Sequence, residues 1–119
     1  MDADPESSQE RLAVLDRLSR RIAERRGGDP ATSYVAQLAA KGEDAVLKKV
    51  AEETAEFIMA AKDVRYGGHR DRLVAEAADV WFHMLIALSA YGAGAAEVAA
   101  ELGRREGVSG LAEKAARGG

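Results

Sequence analysis

The chain contains no cysteine. Disulfides, thiolate metal sites and cysteine nucleophiles are therefore excluded. Aromatic residues make up only 5%, and neither an internal repeat nor a low-complexity linker occurs. No apolar run approaches the ~18 residues of a membrane span. The first residues, Met1-Asp2-Ala3-Asp4-Pro5-Glu6, are acidic, the reverse of a secretory signal. A basic excess is missing too, since the formal net charge is −3. That argues against a nucleic-acid or membrane-surface binder. A cytoplasmic protein with no nucleic-acid or membrane partner is the expectation.

What is present suits one helical domain. Hydrophobic residues reach 47% and alanine, the best helix former, is abundant. Six helical segments are expected and no strand. Ser7 and Glu10 have capping-box spacing ahead of Leu12, Leu15, Leu18 and Ile22. Asp29-Pro30 reads as N-cap and first-turn proline of a short helix carrying Tyr34, Val35 and Leu38. Asp44 is placed to cap a third helix ending near Asp63, and Tyr66-Gly67-Gly68 marks the clearest turn. A fourth helix runs to about Tyr91, a fifth from Ala95 to Arg105, and Ser109-Gly110-Leu111 opens a last one. The expected domain is 7–117, with 1–6 and 118–119 as flexible ends. The last two helices are poor in apolar residues, so they are expected to dock on a larger surface such as a partner subunit.

The chemistry concentrates in two acidic clusters. Glu52, Glu53 and Glu56 lie on the third expected helix, Glu76 and Asp79 on the fourth. Acids at i and i+3 share a helix side and repel each other. A turn at the two glycines would let the two acidic sides face one another. Hard oxygen donors of this kind suit Mg²⁺, with Mn²⁺ possible, and Mg²⁺ is usually shared with substrate phosphates. Solvated helix surface is the alternative, but both clusters border apolar stripes (Val50/Phe57 and Val80), and Asp79 sits mid-helix, where aspartate has poor propensity. Lys48 and Lys49, one turn earlier, either pair with Glu52 and Glu53 or contact phosphate. His83, four residues after Asp79, is either a packed, hydrogen-bonded histidine or a ligand. No Walker loop, dinucleotide fingerprint or nucleophile elbow occurs.

ExxE followed some twenty residues later by ExxD resembles the all-α nucleoside triphosphate pyrophosphatases, the MazG-like group. The flanks narrow it. Ser33–Leu38, the run Lys41-Gly42-Glu43-Asp44-Ala45-Val46-Leu47-Lys48-Lys49, Ala78–His83 and the tail Arg104-Arg105-Glu106-Gly107-Val108-Ser109-Gly110-Leu111-Ala112-Glu113-Lys114-Ala115 are similar to the phosphoribosyl-ATP pyrophosphatase family. The resemblance runs from about Leu12 to Arg117. One departure is the loop from Val64 to Arg72, longer than the family usually shows. The resemblance implies an antiparallel all-α bundle completed by homodimerisation. It implies Mg²⁺-dependent hydrolysis of phosphoribosyl-ATP to phosphoribosyl-AMP and pyrophosphate, the second step of histidine biosynthesis. It carries the metal and catalytic roles onto Glu53, Glu56, Glu76 and Asp79, with Glu52 as a further member, and substrate contact onto Lys48, Lys49 and His83. Either Glu53 or Glu56 would take the proton of the attacking water. A housekeeping dNTP pyrophosphatase would share the metal site and differ in its base pocket. A non-catalytic helical module would show no Mg²⁺ dependence.

Overall fold

In the computed structural model, which describes residues 5–107 and 110–118, all six regular elements are helices and no strand occurs among the described residues. They are α1 (Pro5–Arg25), α2 (Tyr34–Ala40), α3 (Glu43–Arg65), α4 (Arg70–Ser89), α5 (Ala95–Arg105) and α6 (Gly110–Ala116). The all-α class expected from the sequence is therefore observed. Ser109, expected to open the last helix, and the terminal residues 1–4 and 119 lie outside the described residues.

Three helix starts differ from expectation. Ser7 sits inside α1, which already begins at Pro5, a residue type suited to a first helical turn. Asp29 does not start α2. Its carboxylate accepts from the Ala31 N–H at 2.9 Å and its carbonyl from the Ser33 N–H at 3.1 Å, which closes a single turn. Ser33 then becomes extended (φ −134°, ψ 121°), and its hydroxyl accepts from the Ala36 N–H, so Ser33 is the cap. The same applies at α3: Gly42, at φ 102°, is the N-cap, and Asp44 lies in the first turn without a capping bond.

The α3–α4 hairpin is the spine of the molecule. Its turn is set by two adjacent glycines. The Gly68 N–H bonds the Asp63 carbonyl at 2.6 Å and the Gly67 N–H bonds the Val64 carbonyl at 3.2 Å, the Schellman arrangement. Gly67 is at φ 99°, where side chains are strained, and a Cβ on Gly68 would fall 2.7 Å from the Asp63 carbonyl oxygen. Arg72 then bonds Asp63 across the turn at 2.7 Å.

Helices α1 and α2 cover the far end of this hairpin. Ile22, Val35, Leu38, Val46, Leu85 and Ile86 form the buried core. Each comes from an apolar position at helical spacing. Ser19, buried on α1, accepts from the Ala95 N–H at 3.0 Å and so caps α5 from another helix. Gly94 admits this approach, because a Cβ there would strike the Ser19 hydroxyl. At the other end of α5, Arg104 and Arg105 hold Glu101 down to about 2. As a depressed carboxylate, it favours the fold above the usual value of 4.5 and loses that effect as pH falls towards 2. Its side chain is largely open to solvent, so this stabilisation is small.

Candidate functional site

The hairpin brings three of the predicted acids together. Glu53 of α3 and Glu76 and Asp79 of α4 place carboxylate oxygens within 4.8 Å of one another. Antiparallel pairing across the Gly67-Gly68 turn sets this register, and i, i+3 spacing puts both α4 acids on the side facing α3. Glu53 is the most enclosed of the acids whose side chains form ion pairs here, at 15% exposure. Glu56 lies one turn nearer the hairpin tip, exposed and outside the group of three. Glu52 is also exposed and turns towards Lys49.

Lys49 is the countercharge of the cluster. Its ammonium lies 3.2 Å from Glu53 and 3.6 Å from Glu52. The hydrogen bond to Glu53 raises the lysine's pKa above its usual value, against the opposing effect of desolvation. Of the two roles open to Lys49, the acid pairing is thus the one observed. Lys48 is exposed and has no ion-pair partner among the described residues.

His83 is buried and fully used by the protein. Its Nδ1 lies 2.8 Å from the Asp79 carbonyl and its Nε2 lies 2.8 Å from the Tyr34 hydroxyl. A carbonyl only accepts, so Nδ1 carries the proton, and in the neutral ring Nε2 accepts from Tyr34. The imidazole therefore ties α2 to the turn of α4 that bears Asp79. Tyr34 stacks on Phe82 at 6.1 Å between centroids and meets His83 edge-on at 5.8 Å. Sequence spacing alone did not reveal this bond, because Tyr34 and His83 are 49 residues apart.

The donor set fits a divalent cation. It consists only of carboxylate oxygens, the hard donors that Mg²⁺ and Mn²⁺ take. Glu53, Glu76 and Asp79, with oxygens within 4.8 Å of one another, are the residues that would hold the cation. Elsewhere lies an apolar groove of about 300 Å³ lined by Leu15, Trp81, Met84, Leu88, Val98 and Leu102.

Comparison with known proteins gives the family. Curated relatives called phosphoribosyl-ATP pyrophosphatase occur in Burkholderia thailandensis, at 57% identity, and in Burkholderia mallei and Burkholderia pseudomallei, at 56%. Each match spans 104 residues, covering 87% of this chain and 85% of the relative. Residues 15–106 match the family described as phosphoribosyl-ATP pyrophosphohydrolase, and that stretch holds every acid of the cluster. The chain belongs to the phosphoribosyl-ATP pyrophosphohydrolase family.

Proposed function

We propose that this chain, a hydrolase of the diphosphatase type, cleaves phosphoribosyl-ATP to phosphoribosyl-AMP and pyrophosphate at the Glu53–Glu76–Asp79 cluster, as a step of histidine biosynthesis in the cytoplasm. The observation that carries the reading is the convergence of those three carboxylates within 4.8 Å in a chain of this family.

Glu53, Glu76 and Asp79 would hold Mg²⁺, or Mn²⁺ in its place, with Glu56 and Glu52 close enough along α3 to join. The cation would supply charge neutralisation for adjacent phosphates and a more acidic water. The remaining work falls to side chains of the protein. A water oxygen bonds the α-phosphorus, the bond from that phosphorus to the bridging oxygen breaks, and pyrophosphate leaves. Glu53 or Glu56 accepts the water proton. Lys49 balances charge on Glu53 and Glu52 when the site is empty. Once substrate arrives, its ammonium and that of Lys48 are free to meet phosphate oxygens. His83 does not react. It fixes the Asp79 turn and keeps Tyr34 in place.

We further propose that the working form is a homodimer. Trp81, Met84, Val98 and Leu102 are 54%, 45%, 42% and 61% exposed, and they share one apolar groove with Leu88. A second copy seated there would bury that surface. No helix among the described residues is long and apolar enough to cross a membrane, so a bilayer-spanning role does not explain the groove. Met84→Glu should convert a dimer sedimenting in the ultracentrifuge into a monomer. A wild-type chain that sediments as a monomer sinks this part of the reading.

The function itself is tested by pyrophosphate release from phosphoribosyl-ATP, with and without Mg²⁺, beside ATP and the four dNTPs. Strong Mg²⁺-dependent release from phosphoribosyl-ATP is expected. Preference for a dNTP would keep the cluster and reassign the substrate, and no release from any of them would refute the activity.

A further inference from the structure

A second, smaller cavity of about 150 Å³ lies between α1, α2 and α4. Its lining includes Arg21 and Arg25, both exposed, Ser33, Tyr34 and Phe82, and the buried Ile22. The two arginines are one helical turn apart and project from the same side of α1. Neither has an ion-pair or hydrogen-bond partner for its guanidinium among the described residues. Two other arginines of that helical region are engaged: Arg20 bonds Asp16 at 3.0 Å and Arg26 bonds Ser89 at 3.1 Å. Ser33 uses its oxygen as an acceptor for the Ala36 N–H, which leaves its O–H free to donate. Tyr34 is 45% exposed although its hydroxyl is fixed on His83, so part of its ring faces solvent in a fixed pose. In a chain of net charge −3, paired free guanidiniums over an aromatic wall form a receptor for an anion on a compact, partly apolar body.

Two residues of the cavity lining, Phe82 and Tyr34, connect it to the helix turn that bears Asp79. Phe82 follows Asp79 by three residues on α4, a rise of about 4.5 Å. Tyr34 is bonded to His83, which holds the Asp79 carbonyl. Pockets for drug-sized ligands run roughly 300–1,000 Å³, so this one accommodates a fragment of a nucleotide rather than a whole one. We infer that the cavity under Arg21 and Arg25 binds the phosphorylated ribose of the substrate, the anionic end remote from the triphosphate. This rests on the activity proposed above. It explains selectivity by charge placement: the acids and their cation take the triphosphate end, the arginines take the second phosphate, and ATP, lacking that phosphate, forfeits the second contact.

The test uses the full chain and the variant Arg21→Ala/Arg25→Ala, with circular dichroism confirming equal helix content. In turnover, the variant should raise KM for phosphoribosyl-ATP by on the order of tenfold or more, with kcat within about twofold, as expected for lost ground-state and transition-state binding alike. An unchanged KM overturns the inference. So does a loss confined to kcat. Binding separates this inference from the activity on which it rests. Ribose 5-phosphate is titrated calorimetrically into metal-free protein in EDTA, with ribose as control. If phosphoribosyl-ATP is not turned over, uptake of ribose 5-phosphate but not ribose, abolished in the variant, still upholds the subsite while the proposed activity falls. Equal uptake by both proteins, or none by wild type, then overturns it.

Discussion

Asp79→Asn is expected to lower phosphoribosyl-ATP turnover by roughly 10²–10³ or more, the scale on which one preorganised electrostatic group acts, while leaving the helices intact. Asparagine keeps the shape and one acceptor oxygen but loses the charge that a cation and its bound water need. The fold should not suffer. The backbone carbonyl that His83 uses belongs to Asp79 and survives the substitution. The Asp79 side chain is exposed and forms no ion pair among the described residues. Removing one of three clustered negative charges relieves repulsion, so metal-free melting should stay level or rise. Adding Mg²⁺ should raise the melting temperature of wild type and raise that of the variant less. A folded Asp79→Asn protein with wild-type turnover would exclude Asp79 from the site.

Ile86→Ala is the substitution with the largest expected effect on stability. Ile86 is 0% exposed and lies in the cluster with Ile22, Val35, Leu38, Val46 and Leu85. Its truncation removes apolar contact and leaves a cavity between helices that cannot fully close. Such changes cost about 2–5 kcal/mol, a large part of the roughly 5–15 kcal/mol that a domain has. A urea melt at fixed protein concentration should show the midpoint falling with an unchanged slope. Leu12→Ala, at 65% exposure, should shift the midpoint far less. Equal shifts for the two would mean that Ile86 is not at the centre of the core.

The metal-type cluster was legible in the sequence because its information is local. Glu76 and Asp79 are fixed by helical spacing, and Glu53 is brought opposite by one glycine turn whose position is plain. The all-α class followed from the same periodicity. The α2 start was misread because Asp29 and Ser33 are both good caps. Asp29 spends its carboxylate on the Ala31 N–H in a separate turn, while the Ser33 hydroxyl reaches the Ala36 N–H and takes the cap. Asp44 lost to Gly42 for a similar reason, since the chain must reverse at φ 102° before α3 begins. The Tyr34–His83 bond and the arginine-lined cavity arise where α1, α2 and α4 meet, and no single-segment pattern encodes that meeting. Trp81 and Met84 lie uncovered on α4, which helical periodicity does not encode.

The placement of all three clustered acids within one helical hairpin bears on how firmly that hairpin closes. Glu53 and Asp79 are 26 positions apart, so they meet by closing a short stretch of chain rather than by docking distant segments. The mutual repulsion of the carboxylates therefore opposes the pairing of α3 with α4 directly. A cation held by the three acids would relieve that opposition, so the same group that serves the chemistry would also clasp the hairpin shut.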